Sequence, residues 1–166
     1  MHEQRTVGHD DLRTVEVAER ARDANPDRET HGPIFQEWLK ADPFWMLVAC
    51  CLVNCTAWRT ARPTFDLLRE TYPEPGDLST LVTYDELEEI LQPLGMSRKR
   101  AEYLQELSRV WAKRPPRTAK EVKDIHGFGR YAHDSWAIFI DGVTDIEVTD
   151  KDLRWYLETR HPRASS

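Results

Sequence analysis

The segment IHGFGRYAHDSWAIF, residues 125–139, decides how this chain is read. Gly127 and Gly129 bracket one apolar residue, Phe128. Glycine suits a tight turn, a positive φ, or a close approach of the backbone to another group. Ahead of it, Thr118-Ala119-Lys120-Glu121 has the Ser/Thr-x-x-Glu form of a capping box and starts a short helix. Beyond it, Tyr131, Ser135, Ala137, Ile138 and Phe139 continue a helix of mixed polarity. The order is helix, glycine hairpin, helix. Backbone N–H groups at the second helix's start point outward together, and that makes an anion site suited to a phosphate. An ordinary tight turn between helices also carries Gly-x-Gly, so the neighbouring sequence has to separate the two readings.

The chain has 166 residues, 40% hydrophobic and 10% aromatic, with six tryptophans. That is enough for one globular domain or two small lobes with a real core. No apolar run has the length of a membrane helix, and no signal-peptide pattern opens the chain. The three cysteines, Cys50, Cys51 and Cys55, fall together in an apolar segment. They make neither a disulfide framework nor a paired Cys-x-x-Cys metal motif, and read as buried thiols in a reducing compartment. The formal net charge of −6 argues against nucleic acid, since sequence-independent DNA affinity comes from Lys and Arg on phosphates. The sum hides a pattern, however. Acidic residues concentrate at Asp85–Glu89 and around Asp145–Asp152. Basic residues gather at Arg98-Lys99-Arg100, at Lys113-Arg114 with Arg117, and at Lys120, Lys123 and Arg130, so that the later groups flank the glycine hairpin. A local basic face can serve a DNA backbone despite a negative total.

Periodicity predicts helices almost throughout and no strands, an all-α class. Residues 1–30 are polar with no apolar period, which predicts flexibility at least at the start. A helix over 33–41 opens on Pro33. Pro43 opens "FWMLVACCLVNC", apolar nearly all round, as the central buried helix. Residues 57–72 form an amphipathic helix containing Pro63. "PEPGD" is a loop. Thr83-Tyr84-Asp85-Glu86 is a second capping box. "PLGM" ends that helix, Ser97 caps the next one through Trp111, and Pro115-Pro116 breaks it. "IDGVTDIEVTD" reads as a loop before a final helix, Lys151–Arg160.

The order of these motifs resembles the helix-hairpin-helix DNA glycosylase superfamily of endonuclease III, and within it the thymine glycosylase domain found with methyl-CpG-binding modules. The likeness runs from about Phe35 to Leu157. "ADPFWMLVACCLVNCT" is similar to the family's Asp-Pro helix ending in Asn-x-Thr. "LQPLGMSRKRAEYL" is similar to its Leu-Gly-aliphatic turn with a basic helix behind it. "IHGFGRYAHDSW" resembles its hairpin, and "VTDKDLRWYL" the segment that supplies its catalytic aspartate. The resemblance implies a two-lobed all-α fold: a helical bundle over about 43–117, the helix-hairpin-helix at 118–139, and a second lobe from the N- and C-terminal helices. The glycosylase domain would then be 31–166, behind the polar segment 1–30.

Cleaving an N-glycosidic bond builds positive charge on the sugar, and a carboxylate beside it stabilises that charge and orients water. Asp145, Glu147, Asp150 and Asp152 are rivals on residue type; the resemblance selects Asp150, which would also cap the final helix. Tyr131 falls where bifunctional relatives carry a Schiff-base lysine. The resemblance therefore implies a monofunctional enzyme with Tyr131 lining the base pocket, while Lys151 remains a nearby amine. Phe35 and Gln36 would line the same pocket, the glutamine reading a thymine or uracil edge. Gln36 also reads as a surface helix residue on its own. Gly127, Phe128, Gly129 and Arg130 would hold the DNA backbone. Asn54, Cys55 and Thr56 would face the gap left by an extruded nucleotide, with Met96 as a wedge on the opposite strand or, alternatively, a core residue. Cys55 stands where the related enzyme has an arginine, which leaves more of the plug to Asn54 or Met96. No cysteine follows Cys55, so no iron–sulfur cluster, metal or other cofactor is expected. The implied partner is double-stranded DNA with a mispaired or modified pyrimidine, met by a monomer away from membranes, in the cytoplasm or nucleoid of a bacterium or the nucleus of a eukaryote. Two alternatives stay open: an enzyme of modified-pyrimidine metabolism in DNA, and an inactive helix-hairpin-helix module that only binds DNA.

Overall fold

The computed structural model describes residues 34–164. The polar segment 1–30 and Pro33 lie outside the described residues, and with them the flexibility expected there. Among the described residues every regular element is helical. In chain order these are α1 (Phe35–Leu39), α2 (Pro43–Leu52), α3 (Trp58–Thr71), α4 (Asp77–Thr80) and α5 (Tyr84–Leu91). A 3₁₀ turn (Gln92–Leu94) leads to α6 (Ser97–Lys113), α7 (Ala119–Lys123), α8 (Arg130–Phe139) and α9 (Lys151–Arg160). No helix among the described residues is long and apolar enough to cross a membrane.

The element boundaries follow local chemistry. Pro43 takes the first position of α2, where its missing N–H costs nothing. At α5 both arms of the capping box close: Thr83 accepts from the Glu86 N–H at 3.2 Å, and the Glu86 carboxylate accepts from the Thr83 N–H at 3.3 Å. At α7 only one arm forms. Thr118 accepts from the Glu121 N–H, but the Glu121 carboxylate turns to the Arg117 N–H and the Arg114 guanidinium. Ser97 does not cap α6; it is the first helical residue, and the cap position belongs to Met96 in the left-handed region. The first helix is shorter than expected, one and a half turns behind Ile34. The short α4 was not legible as a helix. It is held by side chains instead, with Ser79 and Thr80 hydroxyls donating to the Gly76 carbonyl. Pro63 lies inside α3, which continues through it.

The core is built around α2, whose residues Phe44–Leu52 are all buried. It packs against α1, α3, α6 and α8. Each large apolar side chain so buried contributes about 1.5–3 kcal/mol. The tryptophans explain themselves here: Trp45 meets Phe44 and Phe65 edge-on at 5.3 and 5.6 Å, and Trp111 meets Phe44 at 5.3 Å. A second, smaller apolar cluster joins Ile34, Ile138, Val148, Leu153 and Leu157. It ties α9 to the back of α8 and to the residue before α1. Phe35 and Leu39, by contrast, belong to the main core, so the chain passes from one cluster to the other between Ile34 and Phe35. Tyr131 borders both, and that seam is where the cleft opens.

Candidate active site

The hairpin is a tight turn in which the Phe128 N–H donates to the Ile125 carbonyl at 3.0 Å. Gly127 sits at φ +90°, where an added Cβ would lie 2.1 Å from the Tyr103 ring. Only glycine meets both demands. Gly129 differs: it lacks a positive φ, and an added Cβ would meet no atom within 4 Å. Its side faces open space. The first internal bond of α8 runs from the His133 N–H to the Gly129 carbonyl, so the N–H groups of the preceding turn have no intrahelical acceptor. Phe128 is buried in the main core and anchors the turn; its N–H is already used. Arg130 spans outward, donating to the Glu147 carbonyl at 3.1 Å and pairing with Asp134 at 3.4 Å.

A cleft of about 480 Å³ opens beside this turn. Phe35, Gln36, Asn54, Cys55, Thr56, Met96, the strip Gly127–Tyr131 and Asp150 all line it. The carboxylate of Asp150 caps α9: its Oδ1 accepts from the Asp152 and Leu153 N–H groups, both at 2.9 Å. Both bonds fall on one oxygen, and Oδ2 carries no hydrogen bond from the described residues. Capping and a free carboxylate oxygen thus coexist in one half-buried side chain. Tyr131 is a neutral phenol. Burial pushes its pKa well above the ordinary tyrosine value, helped by the neighbouring Cys50 and Asp150. Its hydroxyl accepts from Gln36 Nε2 at 2.8 Å, and the same nitrogen donates to the Ser135 hydroxyl at 3.2 Å. Gln36 is 1% exposed, which rules out the surface reading, and its Oε1 is buried with no partner among the described residues.

The cleft mouth is formed by two backbone segments. Asn54 and Cys55 are exposed, so Cys55 is not the buried thiol expected; Cys50 and Cys51 are, and desolvation pushes both up to about 12. Met96 is 45% exposed and is not core packing. Lys151 is exposed and does not line the cleft. Among the described residues no His, Cys, Asp and Glu side chains gather as a metal site.

Three relatives are similar in sequence to part of this chain. A methyl-CpG-binding domain protein 4-like protein of Arabidopsis thaliana is 32% identical over 116 residues, 69% of this chain and 25% of the relative. A thymine-DNA glycosylase of Aeropyrum pernix is 32% identical over 95 residues, 55% of this chain and 42% of the relative. A thymine/uracil-DNA glycosylase of Pyrobaculum aerophilum is 36% identical over 103 residues, 57% of this chain and 43% of the relative. This partial similarity to thymine- and uracil-DNA glycosylases is consistent with the helix-hairpin-helix glycosylase family. No protein-family model matches it, and it spans between a quarter and under half of the length of these relatives.

For a helix-hairpin-helix glycosylase relative, the residues that sequence reasoning missed are informative. Ser135 accepts from Gln36, and Cys50 lines the cleft beside Tyr131. Trp58 lines the cleft with its ring 5.0 Å from Phe35. Arg100, read as part of a basic surface run, is 2% exposed. Helical spacing carried the signal: Arg100, Leu104 and Leu107 fall on one face of α6, the face turned inward.

Proposed function

We propose that this chain is a monofunctional DNA glycosylase that releases thymine, uracil or a 5-substituted pyrimidine from duplex DNA. The observation that carries the reading is the meeting of Asp150, with one carboxylate oxygen unbonded among the described residues, and the Gln36–Tyr131 pair in a single cleft beside the glycine hairpin. The names of the relatives support it. In this reading the hairpin holds the DNA backbone through the free N–H groups of α8, and Gly129 lets a phosphate come close. The target nucleotide leaves the stack, a step that costs a few kcal/mol and least for a mispaired base. Gln36 lines the same cleft and would read the pyrimidine edge. Phe35 and Trp58 supply apolar walls.

As the C1′–N1 bond breaks, electrons pass to the departing base and the sugar becomes cationic. The Asp150 carboxylate stabilises that charge and accepts a proton from the attacking water, whose oxygen bonds to C1′. Tyr131 has no amine to attack the sugar, so the product is an abasic site and an intact strand. The test is incubation with duplexes carrying G·T, G·U, A·U and 5-hydroxymethyluracil pairs, with and without alkali. Strand breaks that require alkali support the reading. Breaks without alkali contradict its monofunctional part, and none with any substrate contradicts it altogether.

A further inference from the structure

Two non-glycine residues among those described have positive φ: Cys55 at 62° and Met96 at 46°. This backbone is unfavourable for an L-residue, and such outliers persist where the surroundings over-determine them. They come from different segments, one after α2 and one before α6, yet both stand at the mouth of the same cleft. Beneath them lies Arg100. Its Nη1 donates to the Leu94 carbonyl at 2.7 Å and the Gly95 carbonyl at 2.6 Å. Its Nη2 donates to the Thr56 hydroxyl at 2.9 Å and to the Asn54 carbonyl. Asn54 and Thr56 flank Cys55; Leu94 and Gly95 lead into Met96. Every acceptor of the guanidinium is thus a close chain neighbour of one left-handed residue or the other. Thr56 adds a second tie, donating to the Leu94 carbonyl at 3.5 Å. A planar fork suits four diverging acceptors, and a lysine ammonium does not.

We propose that Arg100 is a positioning residue. It locks the Asn54–Thr56 and Gly95–Met96 segments as paired struts, and so sets the preference for a duplex with a vacated base position over an intact one. The proposal rests on the glycosylase reading for what the struts meet. Extruding a nucleotide leaves a gap in the stack, and a strut whose backbone is fixed beforehand fills it with little loss of conformational freedom. It also accounts for the short side chain at Cys55. Asn54 and Cys55 are both exposed at this left-handed turn, so in this proposal reach comes from the main chain.

The test uses the full chain with Arg100→Lys, Arg100→Met and Thr56→Val, the last removing one acceptor without touching the buried cation. Affinity is measured for a duplex with a tetrahydrofuran abasic site opposite guanine and for the intact duplex. Amide hydrogen exchange is followed in both struts. Arg100→Lys should lower the ratio of the two affinities by at least about tenfold, mostly through the abasic duplex. Exchange should quicken in both segments together, Thr56→Val should be intermediate, and Cys55→Asn in the Arg100→Lys background should restore part of the ratio, because asparagine tolerates the left-handed region. An unchanged ratio in a folded Arg100→Lys or Thr56→Val protein overturns the proposal. So does equal weakening for both duplexes, exchange confined to one segment, or a parent protein with no abasic preference. If the parent shows the Arg100-dependent preference but releases no base, the glycosylase reading fails and the positioning role stands. If it releases base while the ratio ignores Arg100, the positioning role fails alone.

Discussion

Alanine at Gly127 and alanine at Gly129 should behave as opposites, although both positions belong to one Gly-x-Gly turn. At Gly127 two penalties add. Holding a residue with a Cβ at φ +90° costs about 1–2 kcal/mol. The new methyl would also lie 2.1 Å from the Tyr103 ring, and overpacking of that kind costs about 1–3 kcal/mol. The clash falls on Tyr103 ring carbons close to its own Cβ rather than on the far end of the side chain, so a small swing does not relieve it. The sum is roughly 2–5 kcal/mol, a fall in Tm of roughly 5–15 °C for a chain of this size. At Gly129 the φ of −108° is accessible to alanine, and nothing lies within 4 Å of the added carbon. Its Tm should stay within about 2 °C of the parent, yet DNA affinity should drop for every sequence, with no change in base preference. Thermal unfolding by circular dichroism and fluorescence anisotropy with labelled duplexes read the two quantities. Tyr103→Ala in the Gly127→Ala background should recover the steric share and leave the backbone share. A Gly127→Ala protein with the parent's Tm, or a Gly129→Ala protein that loses as much, refutes this account of the hairpin.

Two further outcomes are expected. Tyr131→Lys places an amine in a site whose burial favours neutral side chains, so part of it stays unprotonated and nucleophilic; borohydride should then trap a protein–DNA adduct that the parent hardly forms. Strong trapping by the parent, abolished by Lys151→Ala, would make Lys151 the nucleophile instead. A thiol reagent near neutral pH should modify the exposed Cys55 in the native protein and leave Cys50 and Cys51 untouched until unfolding, because burial raises both from 9.0 to about 12. The sign for stability follows: these two thiols favour the folded state fully below pH 9 and lose that contribution as pH rises towards 12. Rapid modification of all three thiols in the folded protein would contradict their placement.

The helices were legible because their signals are local. Apolar period, proline at a first turn and the Thr83–Glu86 box each act within a few residues. The short α4 was not legible, since it depends on hydroxyls returning to one carbonyl rather than on an apolar face. The cleft was partly legible. The hairpin and the Asp150 cap are written in sequence order. The burial of Gln36 is not, because it comes from α8 reaching across with Tyr131 and Ser135. Arg100 misled for a related reason: adjacent Arg98 and Lys99 suggested one exposed run, whereas each helical step turns about 100°, and Arg100 points inward with Leu104 and Leu107. Nor does any residue type announce the left-handed backbone at Cys55 and Met96. That conformation is imposed by tertiary bonds.

Asp150→Asn tests the central claim most directly. Asparagine caps a helix about as well as aspartate, so α9 should keep its N-terminus and the variant should stay within about 1 kcal/mol of the parent. What it loses is the negative charge of the carboxylate whose Oδ2 carries no hydrogen bond from the described residues. With single-turnover base release measured on G·T and G·U duplexes, the variant should bind DNA like the parent and release base at least about a hundredfold more slowly. Release within a few-fold of the parent, from a folded variant with unchanged DNA affinity, would show that Asp150 is only a helix cap and that the chemistry lies elsewhere.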